Sequence, residues 1–280
     1  MIDPMITRLN RLLRFAFCTS AAALGLQAAE PAATNAPAPA ASAWRMHDMA
    51  RPAPRVVTPG AQFSQLAPPP SDAIVLFDGK DLSKFGVPGQ LQASTNREPR
   101  WKVENGYMEI VGGTGSLWTK DKFADFQMHV EFATPATISG SSQNRGNSGI
   151  KVNGLYEIEI LDSFDNPTYA DGVAGAIYGQ TPPLANPSRL PGEWQTYDIV
   201  FEAPRWDERG TLIKKANVTL LYNGVLVQHR REIEGRTSAN FRATYGDPHP
   251  PEMFIELQDH NTPVRFRNIW VRRLGEYDKP

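Results

Sequence analysis

From Ile74 onward the chain alternates apolar and polar residues in short runs, each closed by a turn. "AIVLF" stops at "DGK", "YMEIVG" follows Asn105-Gly106, and "FQMHVEFAT" stops before Pro135. "YEIEIL" follows Asn153-Gly154, "TYDIVFEA" stops at Pro204, and "ANVTLLYNGVLVQHR" carries Asn223-Gly224 in its middle. "MFIELQ" and "VRFRNIWVRRL" close the series. No segment sustains a helical apolar period over several turns, whereas period-two runs joined by Asn-Gly read as β-hairpins. The pattern predicts an all-β fold, an antiparallel β-sandwich of jelly-roll type.

The stretch "NSGIKVNGLYEIEILDS", residues 147–163, carries charge on one side of such a strand. Tyr156, Ile158 and Ile160 share one face, and Glu157, Glu159 and Leu161 share the other. Directly paired residues point the same way, so Ile150 needs an apolar partner. A two-residue Asn153-Gly154 loop would pair Ile150 with Glu157 and mix the faces. A three-residue loop restores the match, gathers Lys151, Glu157 and Glu159 on the polar face, and places Gly154 at positive φ. "IELQDHN", residues 255–261, repeats the pattern, with Ile255 and Leu257 inward and Glu256, Gln258 and His260 outward. Gln258, Asp259, His260 and Asn261 are suited to holding hydroxyls, with Asp259 or Asn261 orienting the imidazole. "GAIYG" and "LPGEW" read as loops that offer Tyr178 and Trp194 for stacking on a sugar ring, although Trp194 equally suits a core anchor. The plainer alternative for the whole polar face is a solvated sheet surface whose charges compensate one another.

Charge and composition narrow the partners. The 280 residues include 29 basic and 30 acidic ones for a formal net charge of -1, with no basic stripe, which argues against nucleic acid and anionic membrane. Arg8, Arg11 and Arg14 precede "FAFCTSAAALGLQAA", so residues 1–29 read as an export signal cleaved near Ala28 or Ala29. That run is too short to span a bilayer with ordinary flanks. The expectation is an exported protein, periplasmic or extracellular, with no membrane contact after cleavage. The only cysteine, Cys18, falls inside the signal, so the mature chain uses neither disulfides nor thiol chemistry. Residues 30–70 are rich in Ala and Pro and read as a disordered linker, with a docked piece around Trp44 to Met49 as the alternative. The folded domain is expected over 71–275. Nothing in the composition selects an oligomeric state.

Taken in order, "LFDGKDLSKF", "WKVENGYMEIVGGTGSLWTKDKFADFQMHVEF", "NSGIKV", "YEIEILDS", "GAIYG", "PGEWQTYDI", "NGVLV" and "ELQDH…VRFRNIWVRRL" form an ordered set. This set resembles the 3-keto-disaccharide hydrolase domain family, whose fold is similar to the concanavalin A-like lectins and glucanases. The resemblance spans nearly all of 71–275. The chain departs from the family's usual pattern at Glu159, where Gln is common. It also has Lys151 and Asn153 near a position where Arg is common, and "EAPRWDERGTLIKKA" is longer than usual.

The resemblance implies cleavage of a glycoside whose sugar carries a ketone at C3, which acidifies the hydrogen on C2. Such chemistry needs a base, an electrophile or metal near the C3 oxygen, and an acid at the leaving oxygen. Lys151 or Arg265 would polarise the ketone, and His260 would serve as base or acid. Glu157 and Glu159 would be base or metal ligands, and Gln258 and Asn147 would bind hydroxyls. No motif demands a cofactor; an oxygen-rich divalent metal site at Glu157, Glu159 or Asp162 is the one the residues offer. The competing function is a non-catalytic carbohydrate-binding module on the same sandwich. A glucanase fits less well, because it needs acids at alternating positions of one strand, and here the third position is Leu161 while Asp162 has the opposite parity.

Overall fold

Alternation becomes strand in the computed structural model, which describes residues 44–88 and 98–275. One antiparallel sheet runs, in spatial order, Val225–Glu232, Asn217–Tyr222, Gln195–Glu202, Phe126–Ala133, Arg265–Arg273, Tyr107–Glu109 and Lys102–Glu104. Ile74–Phe77 also pairs with Arg265–Arg273. The second sheet runs Phe85–Gly86, Leu117–Thr119, Glu256–Leu257, Ser148–Val152 and Tyr156–Ile160. The long segment after Pro204 folds as its own ribbon, Arg205–Trp206 against Leu212–Lys214. Among the described residues the only helical pieces are two 3-10 turns, Ser142–Asn144 and Ala170–Gly172. The fold is an antiparallel β-sandwich.

The two inner faces meet in one apolar cluster. Met128, Val130, Phe132, Tyr197, Ile199, Phe201, Leu220 and Phe266 come from the large sheet. Leu117, Ile150, Val152, Tyr156, Ile158, Ile160 and Leu257 come from the small one. Burying a side chain of this size contributes about 1.5–3 kcal/mol, so this alternation is the main reason each strand presents the face it does.

The turns follow their residue chemistry. Asn105-Gly106 and Asn223-Gly224 both take positive φ as two-residue hairpin loops, the conformation these residues accept best. Asn153-Gly154-Leu155 instead makes a three-residue loop between the paired Val152 and Tyr156. Ile150 therefore meets Ile158, Lys151 meets Glu157, and Gly149 meets Glu159. Gly154 has φ 61, and a Cβ there would drive into the Phe254 ring.

The expected export signal, 1–29, and residues 30–43 lie outside the described residues. Residues 44–70, expected to belong to a disordered linker with a docked piece around Trp44 to Met49 as the alternative, are laid along the sandwich as a strap. Asn186 exchanges backbone hydrogen bonds with the strap, its N–H reaching the Arg55 carbonyl at 2.9 Å and its carbonyl accepting the Val57 N–H at 3.1 Å. Farther on, the Ser64 hydroxyl donates to Asp198 at 2.7 Å, Gln65 donates to the Trp194 carbonyl at 2.7 Å, and the Leu66 N–H donates to Glu131. An Ala- and Pro-rich segment builds no core of its own, but an extended chain can satisfy its backbone on a sheet already formed.

Candidate active site

The polar face of the small sheet forms the floor of a pocket of about 240 Å³. Pairing sets its layout: Glu256, Lys151 and Glu157 lie in one row across three strands, and Gly149 and Glu159 lie in the next. The Lys151 ammonium sits 3.2 Å from Glu256 Oε1. Glu157 folds over Gly149, where a Cβ would collide with its carboxylate. The bare backbone at 149 is what lets that side chain lie flat.

The face is not solvated. Glu157 is 6% exposed and Glu159 is 1% exposed. The segment 175–178 caps the outer edge of the Tyr156–Ile160 strand. The Gly175 N–H donates to the Glu159 carbonyl at 3.0 Å, the Glu159 N–H to the Ala176 carbonyl at 3.0 Å, and the Tyr178 N–H to the Glu157 carbonyl at 3.1 Å. Thr237 closes another side, its hydroxyl accepting the Glu157 N–H at 2.9 Å. At the far end Asn147 donates to the Gln143 carbonyl at 2.9 Å, and His260 stands exposed at the rim.

Burial dictates the electrostatics. Loss of water pushes Glu157 up to about 7, with the Glu256 charge adding to the effect and the Lys151 cation and the Gln258 amide pulling the other way. Burial raises Glu159 well above the ordinary carboxylate range, and the Glu157 charge raises it further. Glu159 Oε1 and Gln258 Oε1 are buried without a hydrogen-bond partner. The site thus holds one carboxyl poised to exchange a proton near neutral pH and, beside it, a second that burial biases toward its protonated form. Carboxyls shifted upward together in a pocket mark candidates for proton transfer.

Asn147, Lys151, Glu157, Glu159, Tyr178, Gln258 and His260 line this one pocket. Three of the sequence candidates do not. Trp194 lies outside the core and outside this pocket: its half-buried ring carries the Arg267 guanidinium at 4.1 Å and that of Arg265 at 5.5 Å. Arg265, on the outer face of the large sheet, instead lines a second cavity of about 530 Å³ with Glu109, Arg145 and Asp162. Asp259 does not orient the imidazole, because its carboxylate accepts the Gly115 and Asn261 N–H groups, each at 2.9 Å. The second cavity is larger, but its buried acid Asp162 is neutralised by Arg145 at 2.6 Å, so the chemistry favours the smaller pocket. That pairing also separates Asp162 from Glu157 and Glu159 as a metal ligand. Among the described residues no group of three or more His, Cys, Asp or Glu side chains is placed to hold a metal ion. Sequence reasoning passed over Gln143, Thr237, Ser238 and Ala239, which also line the pocket. Gln143 comes from the 3-10 turn Ser142–Asn144 and the others from a loop, and none has periodicity or a local signal.

Comparison with known proteins agrees with the architecture. The profile of the 3-keto-alpha-glucoside-1,2-lyase-like domain matches residues 72–272. A crystal structure of a Parabacteroides distasonis protein provisionally assigned as a glycosyl hydrolase is 42% identical, covers 80% of this chain and 93% of its own, and superposes with a TM-score of 0.69. A second, similarly assigned protein of the same organism is 16% identical over 73% of this chain and 94% of its own, with a TM-score of 0.53, a likeness of fold alone. No curated protein matches the chain.

Proposed function

The chain belongs to the 3-keto-alpha-glucoside-1,2-lyase-like domain family, and from that premise we propose that it cleaves the glycosidic bond of 3-keto-disaccharides by elimination and hydration. The observation that carries the reading is Glu157, a buried carboxyl pushed up to about 7 beside Glu159, whose carboxyl burial raises well above its ordinary range, and a lysine. A general base works best when its pKa lies near the operating pH.

In this proposal Glu157 takes the proton from C2, and the electron pair moves into an enolate whose negative oxygen is at C3. Lys151 and the neutral Glu159 carboxyl donate hydrogen bonds to that oxygen, which carries more charge then than in the ketone. Collapse of the enolate re-forms the C3 ketone, makes a C1–C2 double bond and expels the C1 oxygen, which His260 protonates at the rim. Water then adds across the double bond, hydroxyl to C1 and hydrogen to C2, so that the net reaction is hydrolysis. Asn147, Gln258 and Tyr178 hold the ring hydroxyls. The export signal read at residues 1–29 makes the substrate an extracytoplasmic sugar.

The test is to incubate the protein with 3-keto and unoxidised forms of the same disaccharides, with and without chelator, and measure released monosaccharide. Cleavage of the keto forms alone, slowed by deuterium at C2 or accompanied by solvent exchange there, supports the reading. Sugar binding without cleavage of any keto-glycoside would favour a carbohydrate-binding module. Glu157-dependent cleavage of plain glycosides would make it an ordinary glycosidase, which works through two carboxylates flanking C1.

A further inference from the structure

The strap reaches the pocket at its beginning. His47 adopts φ 59, a left-handed conformation uncommon outside glycine, though His, Asn and Asp tolerate it best. Its N–H donates to Asp171 Oδ2 at 3.1 Å. Its ring stacks on Tyr169 at 4.2 Å and 28°, and stands 5.1 Å from the ring of Tyr178. The two tyrosines share a hydrogen bond between their hydroxyls at 2.7 Å. Tyr178 is the pocket residue whose N–H holds the Glu157 carbonyl.

The same loop is drawn tight from below. The Asp171 carbonyl accepts the Gly179 N–H at 2.9 Å, so one residue both anchors the strap and closes the loop. Gly179, at φ 68, leaves room for the strap: a Cβ there would stand 3.2 Å from Met46 Sδ and 3.4 Å from His47 Nε2. The next residue, Gln180, passes the constraint on, since its amide donates to the Gly235 carbonyl at 3.1 Å and accepts the Glu234 N–H at 2.8 Å. That turn leads directly into Thr237, Ser238 and Ala239 of the opposite wall.

We propose that His47 is a positioning residue for the pocket, its ring holding the Tyr169–Tyr178 pair, and with it the wall beside Glu157, in the arrangement that receives the sugar ring. The proposal rests on reading this pocket as the substrate site. His47 touches no reacting atom and acts through Tyr178, so its removal weakens substrate binding more than it slows the chemical step.

Three variants separate ring from backbone. His47→Asn keeps a side chain that tolerates the left-handed turn but removes the ring, His47→Phe keeps a stacking ring without nitrogen, and Glu157→Gln reports on the chemistry. His47→Asn is expected to raise KM about tenfold while kcat changes less than about threefold, and His47→Phe to restore KM. Amide exchange over residues 175–179, which needs no substrate, is expected to speed up about tenfold in His47→Asn and to return toward the wild-type rate in His47→Phe. Unchanged exchange in His47→Asn, or failure of His47→Phe to restore it, overturns the role of the ring. Unchanged KM in His47→Asn while Glu157→Gln lowers turnover about a hundredfold overturns the His47 proposal alone. Unimpaired turnover in Glu157→Gln overturns the catalytic reading of the pocket, and the His47 proposal with it.

Discussion

Glu157 is both the best candidate for the chemistry and a cost to stability. Its folded pKa of about 7 lies above the ordinary 4.5, so the folded chain holds a proton that the unfolded chain has released. The stability this proton supplies is fully present below about pH 4.5 and is lost as pH rises through about 7, a term of about 3 kcal/mol. Glu157→Gln should therefore melt higher than wild type at pH 8 and nearly level with it at pH 4, while turnover of 3-keto substrates falls about a hundredfold. Thermal scans at the two pH values, beside one rate assay, check both halves. Glu159 should behave differently. A carboxyl that stays neutral and only donates a hydrogen bond is nearly isosteric with an amide, so Glu159→Gln should keep turnover within about tenfold of wild type. A loss as deep as that of Glu157→Gln would instead make Glu159 a proton-transfer group. The sequence shows that both acids share a face, because strand parity leaves no choice. It does not show their burial, because the residues that cover them, 175–178 and Thr237, are remote along the chain.

The hairpin joining Ser148–Val152 to Tyr156–Ile160 decides which groups meet. Its three-residue loop was legible, since Ile150 and Ile158 both need the core and only an odd loop brings them opposite one another. Gly154→Ala should destabilise the protein by about 1–2 kcal/mol, from left-handed backbone strain alone, and by more once the Phe254 ring is displaced. Urea unfolding measures this, and a pairing slip would also abolish activity by turning Glu157 and Glu159 into the core. Trp194 and Arg265 illustrate what periodicity cannot decide. A loop aromatic followed by a strand suits core, sugar platform or cation partner equally, and the choice was made by Arg265 and Arg267 arriving from the last strand.

Across the whole molecule the strap, rather than the sandwich, departs furthest from expectation. Its composition forbids an independent core but says nothing of a ready-made sheet face. Its seat is a buried charge cluster: His129 bonds Asp198 at 2.7 Å, and Glu131 pairs with Arg267 at 2.7 Å and accepts from Asn268 at 2.9 Å. Burial pulls the imidazole down, but Asp198 and Glu131 outweigh it and raise His129 to about 8. Burial likewise pushes Glu131 up, and its donors outweigh it, bringing the carboxyl to about 2. The His129 contribution, about 2 kcal/mol, is fully present below about pH 6.5 and is lost as pH rises through about 8. That of Glu131 is present above about pH 4.5 and is lost as pH falls toward about 2. His129→Gln should flatten the decline in stability between pH 6.5 and 9, a window distinct from that of Glu157, as chemical unfolding across pH will show. The seat also sets an order of events. Ser64 and Leu66 fasten to strands near the middle of the chain, but Ala67 is held by Asn268, and among the described residues the first strand, Ile74–Phe77, pairs only with Arg265–Arg273. Segments this far apart along the chain that meet in one sheet close a very long loop, the kind of contact that forms late. During synthesis the earliest-made part of the domain must wait for the latest, and a chain halted before Arg265 has no complete seat for its own beginning.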